Sequence, residues 1–177
     1  MAGRDSLGKA IYAISHITGH FVLRSGAVSD RYFDKYRFEA DPGLLDEIGA
    51  ALAALLPQDT EVLAGLELGG VPLAVAASRH CGLPVAFVRK KAKEYGTRRL
   101  AEGADLSGRK VVVVEDVVTS GGQVVASSQD LRSEGAVLLG AVCVIDREAG
   151  GPEALAQIGV PLSSLFRMSE LTAAAGG

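Results

Sequence analysis

The sequence predicts an α/β domain with a mostly parallel central sheet and helices on both faces. Three observations carry this. From residue 62 onward, short apolar runs alternate with segments that suit helices, the pattern of a doubly wound sheet. Four β-branched residues stand in a row at Val111, Val112, Val113 and Val114, as in a strand buried on both faces. A chain of 177 residues with 48% hydrophobic content is long enough for one well-buried domain and short for two.

Taken in order, Leu7, Ala10, Ile11, Ile14 and Ile17 recur at helical spacing, so a helix is expected over residues 5–18. Residues 21–26 read as a short strand ending at Gly26. Over 32–38, Tyr32, Asp34, Tyr36 and Phe38 alternate with Phe33, Lys35 and Arg37, which reads as a second strand. Asp41 as N-cap and Pro42 at the first helical position open a helix that runs to Leu56 and stops at Pro57. Residues 62–66 are a strand, 67–70 a turn, 71–80 a helix and 83–88 the next strand. Residues 89–104 lack an apolar period and are expected as a long loop. The valine strand over 110–114 leads through Glu115, Asp116 and a Thr-Ser-Gly-Gly turn into a helix over 123–134, with Gly135 as its C-cap. A strand over 137–145, a short helix over 152–158, a strand over 162–166 and a frayed tail over 172–177 complete the chain.

The formal net charge of −3 gives no reason to expect nucleic acid as a partner. No apolar run reaches the length of a membrane span, and the first five residues do not lead into the apolar core of a signal peptide. Cys81 and Cys143 are far apart, without a CxxC or a metal-binding His spacing. The expectation is a cytoplasmic protein with two reduced thiols and no membrane partner.

In open α/β sheets, ligands bind at the carboxyl ends of the strands. The loops meeting there are 67–70, 89–104, 115–122 and 146–151. A strand, a Gly-rich turn and a helix N-terminus in that order make an anion site, because free N–H groups and the hydroxyls of Thr119 and Ser120 converge. Glu115 and Asp116 would repel a phosphate, so they are expected to serve sugar hydroxyls or a Mg²⁺ on the same ligand. Leu68, Gly69 and Gly70 form a second candidate phosphate turn. Residues 89–99 carry six positive charges and one negative on a net acidic chain. A charge run alone is commonly a solvated loop, but this one lies at the carboxyl edge of the sheet. Tyr32 and Phe33 alone would signal core packing. Arg147 alone fits either a strand-end salt bridge with Asp146 or Glu148, or the binding of a carboxylate. His16, His20 and His80 match no motif.

The segment from Glu115 to Gln123 resembles the 5-phosphoribosyl 1-diphosphate (PRPP) signature of the type I phosphoribosyltransferases, with Glu-Asp where two aspartates are common. Phe21, Leu23, Arg24, Ser25 and Gly26, followed by Ser29, Tyr32 and Phe33, resemble the N-terminal pattern of the orotate phosphoribosyltransferases. So do Arg89, Lys90 and Lys93 with Tyr95, which stands where a histidine is frequent, and the segment from Cys143 to Glu148. The resemblance runs from residue 21 to residue 151. It implies the type I phosphoribosyltransferase fold in a single domain over 1–177, with a hood from about 1–40 and 146–177 on a core of about 41–145. It implies transfer of phosphoribose from PRPP to orotate, giving orotidine 5′-monophosphate and diphosphate, in de novo pyrimidine synthesis.

The same resemblance implies the site. Arg89, Lys90 and Lys93 are the catalytic cations. PRPP is bound by Arg24, Leu68, Gly69, Gly70, Arg89, Lys90, Lys93 and Tyr95. Its ribose is held by Glu115 and Asp116, and its 5′-phosphate by Val117, Val118, Thr119, Ser120, Gly121, Gly122 and Gln123. Many relatives carry a lysine in the turn where this chain has Leu68 and Gly69. Orotate is bound by Tyr32, Phe33, Thr119 and Arg147. The cofactor is Mg²⁺, held mainly by PRPP near Asp116 with no protein ligand assigned. A homodimer sharing the 89–104 loop across its interface is implied as well. Two other readings compete: transfer to another base, and a PRPP- or nucleotide-sensing regulator on the same fold. The regulator would bring an added nucleic-acid-binding surface, for which the sequence has no extra domain.

Overall fold

The computed structural model describes residues 3–22, 26–90 and 100–175. Helix α1 (Arg4–Ser15) leads into a hairpin of β1 (His16–Val22) and β2 (Val28–Phe33). Then follow α2 (Tyr36–Ala40), α3 (Pro42–Ala53), β3 (Val62–Leu66), α4 (Gly70–Cys81), β4 (Val85–Val88), β5 (Ala101–Gly103) and β6 (Lys110–Val118). Helix α5 (Gly122–Ser133), β7 (Val137–Asp146), α6 (Gly151–Gln157), β8 (Leu162–Arg167) and α7 (Met168–Ala175) complete the order.

The main sheet runs β5-β4-β3-β6-β7-β8 and is parallel except for β5 at its edge. Alternation along each strand divides the core into two layers. Val111 and Val113 of β6 face the side covered by α5 and α6, with Val124, Leu131 and Leu155. Val112 and Val114 face α1, α3, α4 and α7, with Ile11, Ile48, Leu73 and Leu171. From β3 the chain winds one way through β4 and from β6 the other way through β7 and β8. The switch point therefore falls between β3 and β6, where such sheets open a crevice.

Several elements follow their local signals. Asp41 caps α3 through a bond from the Leu44 N–H at 2.9 Å, with Pro42 in the first turn. Others differ from the sequence reading, each for a physical reason. The first helix ends at Ser15, because Ile17 and Thr18 pair with Tyr32 and Arg31 across the hairpin. The strand expected over 32–38 stops at Phe33. The Asp34 carboxylate accepts from the Tyr36 N–H at 3.2 Å, an Asx turn that coils the chain into α2 and buries Phe38 fully. The loop expected over 89–104 contains β5, which pairs with β4. Strand β6 runs on to Val118, so the acidic pair lies inside the strand, because β7 continues to pair with it as far as Asp146. The tail expected to fray is helical over α7, held by the fully buried Leu171 and by Glu170 against Arg4 at 3.0 Å. Gly176 and Gly177 lie outside the described residues.

Candidate functional site

The carboxyl ends of β3, β4, β6 and β7 deliver the turns 67–69, the start of the 89–99 segment, 119–121 and 147–150 to one edge of the sheet. Gly121 adopts φ +78° as N-cap of α5, and the first turn of that helix has no side-chain cap. Its amides border a cavity of about 250 Å³ lined by Glu115 and the turn from Val117 to Val124. A helix N-terminus open in this way is an anion site. Gln123 turns back on its own helix, its amide donating to the Ser127 hydroxyl at 3.1 Å.

A second cavity of about 410 Å³ adjoins the first through Val117 and Thr119. Tyr32 and Phe33 from β2, Lys35, and Arg147 beyond β7 line it with Ser29 and Arg31. Tyr32 stacks on Phe21 with centroids 5.4 Å apart, and Phe33 leans on Tyr12 at 6.3 Å, so both rings are supported from behind. The Arg147 N–H donates to the Val118 carbonyl at 2.8 Å, which ties the arginine to the end of β6. Two aromatic rings with cations on either side suit a flat, negatively charged group. A third cavity, an apolar groove of about 440 Å³ at the β8 edge between α1 and α3, is lined by none of the expected site residues.

Beside the acidic pair stands a third carboxyl, Glu39, that the sequence did not foretell. Asp116 is fully buried, and its Oδ2 has the Lys35 ammonium at 2.6 Å. Its Oδ1 accepts from the Val117 N–H at 2.5 Å, while Glu115 Oε1 accepts from the Asp116 N–H at 3.0 Å. Glu39 of α2 is buried beside them. Burial first, and then the hydrogen bond with and charge of Asp116, push Glu115 up to about 9. Burial and the Asp116 charge likewise push Glu39 up to about 8. For Lys35, burial acts downward, but the bond to Asp116 and its charge outweigh it and raise the ammonium above its ordinary value. With Glu115 raised this far, it is protonated at neutral pH, which lessens the repulsion toward a phosphate expected from sequence.

These shifts fix a stability trend. A carboxyl raised in the folded state binds a proton that the unfolded chain releases above about pH 4.5, so stability is fully present below that pH and falls as pH rises through 8 to 9. Replacing Glu39 with glutamine is expected to flatten this decline and to raise stability at pH 8.5 by roughly 1–2 kcal/mol. Denaturant melts at pH 5.5 and 8.5 measure it; parallel pH profiles for the two proteins would contradict the assignment.

The turn after β3 packs on this cluster. A Cβ at Gly69 would overlap the Asp116 carboxylate, and one at Gly70 would overlap the Val114 carbonyl, so only glycine allows the approach. The Glu67–Leu68 peptide is cis, and the Leu68 side chain is exposed. The Glu67 carboxylate accepts from the Lys90 N–H, and the Arg89 N–H donates to the Leu100 carbonyl at 3.0 Å. Both ends of the basic segment are therefore fixed next to the Gly69 turn.

The structure thus brings together Tyr32, Phe33, Leu68, Gly69, Gly70, Arg89, Lys90, Glu115, Asp116, the turn from Val117 to Gln123, and Arg147. Arg24, Lys93 and Tyr95 lie outside the described residues. Lys35, Glu39 and Arg31 join the site without a motif in the sequence; the one signal for Lys35 is a lysine two residues after the aromatic pair. Of the histidines, His16 stacks on Tyr12 at 4.9 Å and His80 pairs with Asp46 at 3.1 Å. Burial pushes the Cys143 thiol far up, which makes it inert.

The profile of the phosphoribosyl transferase domain family matches residues 37–158. The chain is 48% identical over 169 residues to an orotate phosphoribosyltransferase of Nocardioides sp., covering 96% of this chain and 94% of that protein. It is 45% identical over 172 residues to the orotate phosphoribosyltransferase of Halobacterium salinarum, covering 97% and 98%. Among solved structures, it superposes on the orotate phosphoribosyltransferase of Mycobacterium tuberculosis in complex with Fe(III) dicitrate. That match has a TM-score of 0.87 and 31% identity, covering 95% of this chain and 98% of the other.

Proposed function

The chain belongs to the orotate phosphoribosyltransferases, and from that premise we propose how its residues transfer phosphoribose from PRPP to orotate. The observation that carries the reading is the adjoining pair of cavities, one at an open helix N-terminus with Glu115 on its wall and one walled by Tyr32, Phe33, Lys35 and Arg147.

The turn from Thr119 to Gly122 anchors the 5′-phosphate through backbone amides and hydroxyls, and Glu115 and Asp116 hold the ribose hydroxyls. The aromatic pair and Thr119 hold the orotate ring, and the fork of Arg147 takes its carboxylate through two parallel bonds. Orotate N1 then attacks the anomeric carbon on the face opposite the diphosphate. The transition state has oxocarbenium character, as in glycoside cleavage. The nucleophile belongs to the substrate, so the protein's work is positioning and charge. Arg89, Lys90 and Lys93 stabilise the negative charge growing on the leaving diphosphate. Arg24 and Tyr95 complete the PRPP contacts, and closure of the 89–104 loop excludes the water that would hydrolyse PRPP.

Among the described residues, no group of three or more acids, histidines or cysteines is arranged to cage a metal. A Mg²⁺ ion that takes most of its ligands from a diphosphate fits such a site, with Asp116 the carboxylate nearest to hand. When bound, it offsets the charge of the leaving group. The same reading makes the protein a homodimer that shares the 89–104 loop, on the strength of family resemblance. It also makes it a cytoplasmic enzyme, which the free thiols of Cys81 and Cys143 support. Among the described residues, no helix is long and apolar enough to cross a membrane.

The expected result is loss of orotate absorbance on adding PRPP and Mg²⁺, with no consumption of adenine, guanine, hypoxanthine or uracil. PRPP binding without consumption of orotate at high enzyme concentration would instead indicate a sensor on the same fold.

A further inference from the structure

We propose that Lys35 is a positioning residue for Asp116, aiming its carboxylate at the ribose hydroxyls of PRPP. This rests on the reading above that Asp116 meets the ribose. Asp116 is fully buried, and a buried carboxylate without a partner is too costly to persist. Two other carboxyls, Glu39 and Glu115, crowd it, and neither can neutralise it. Lys35 is the cation paired with it, with Nζ 2.6 Å from Oδ2 and the lysine side chain 35% exposed. The other oxygen is bound to the Val117 N–H, so the two contacts together fix the plane of the carboxylate.

The source of the lysine gives the pair a second consequence. Lys35 follows Phe33 by two residues and lines the same cavity as Tyr32, Phe33 and Arg147. The wall of the base cavity therefore reaches across to the ribose carboxylate. Gly69 closes the remaining side: its Cα lies against both Asp116 and the Glu39 Oε1, leaving no space into which the Asp116 carboxylate could turn. Without Lys35, Asp116 would face two carboxyls and no cation. Its Oδ2 would lose the one cation that fixes it, and the ribose would lose an oriented acceptor. Orotate would keep its rings and its arginine.

The effect should therefore fall on one substrate. PRPP binding is measured by calorimetry with Mg²⁺ present, and KM and kcat by orotate consumption. Lys35→Met is expected to weaken PRPP binding and raise its KM by about 10- to 100-fold, the range for losing a charge-assisted hydrogen bond. The KM for orotate should change far less than that for PRPP, the melting temperature should fall because a buried carboxylate has lost its partner, and Lys35→Arg should recover most of the PRPP affinity. In an Asp116→Asn background, Lys35→Met should have little further effect, because the coupled partner is already gone.

Unchanged PRPP affinity in Lys35→Met overturns the inference. So does a loss that appears equally in both KM values, or one that persists in full in the Asp116→Asn background. Failure of the wild-type protein to bind PRPP is a different outcome: it removes the functional reading, and this inference with it.

Discussion

Lys93→Ala is expected to lower kcat by about 10²- to 10³-fold, the usual cost of removing one transition-state charge contact, while orotate binds as before. The argument comes from the residues on either side. Arg89 and Leu100 are joined by a backbone hydrogen bond of 3.0 Å, so the two ends of the segment lie side by side, at one neck. That neck is fastened through the Lys90 N–H to Glu67, at the start of the turn whose Gly69 touches Asp116. Six cations within eleven residues thus start from the edge where a diphosphate would leave, on a chain whose net charge is −3. A contact that strengthens as charge grows on the leaving group acts on turnover more than on ground-state binding. Single-turnover measurement with orotate titrated separately decides it, and near-wild-type turnover would remove the segment from the mechanism.

Gly69→Ala is the second large effect. The added Cβ would overlap the Asp116 carboxylate and lie 2.7 Å from Glu39 Oε1. Asp116 cannot retreat, since it is fully buried and bonded to Lys35 and to the Val117 N–H. The turn itself must move, and with it the amides offered to the diphosphate. The expected cost is roughly 1–3 kcal/mol of stability, as for overpacking a core, and a loss of PRPP affinity of about 100-fold. Calorimetry with PRPP and a denaturant melt test both; a wild-type dissociation constant would mean that the turn has space the packing denies it.

What the sequence made legible was local chemistry. The Asp41-Pro42 cap, the four valines and the glycines at 69, 70, 121 and 122 each bear a short-range signal, and each sits where its neighbours imply. The errors came where a distant partner decides. The alternation over 32–38 was real, but Asp34 offered its own turn bond and Phe38 had a core to enter. β6 is longer than its valine run because β7 extends it, and α7 forms because Leu171 has a core to fill. The same reason hid Lys35. Its meaning lies in Asp116, far along the chain, and no periodicity records that pairing.

The glycines on two different loops have one more consequence. The Gly151 Cα lies within 3.3 Å of where a Cβ on Gly121 would stand, and a Cβ on Gly151 would come within 2.9 Å of the Thr119 carbonyl. The loop proposed to grip the phosphate and the start of the helix after Arg147 therefore pack closely, with Val118 and Leu155 filling the space around the two glycines. Their separation is set by close packing that leaves little room to adjust, so the protein should behave as a caliper of nearly fixed span. It should tolerate changes in the decoration of the base far better than any change in the distance from phosphate to carboxylate.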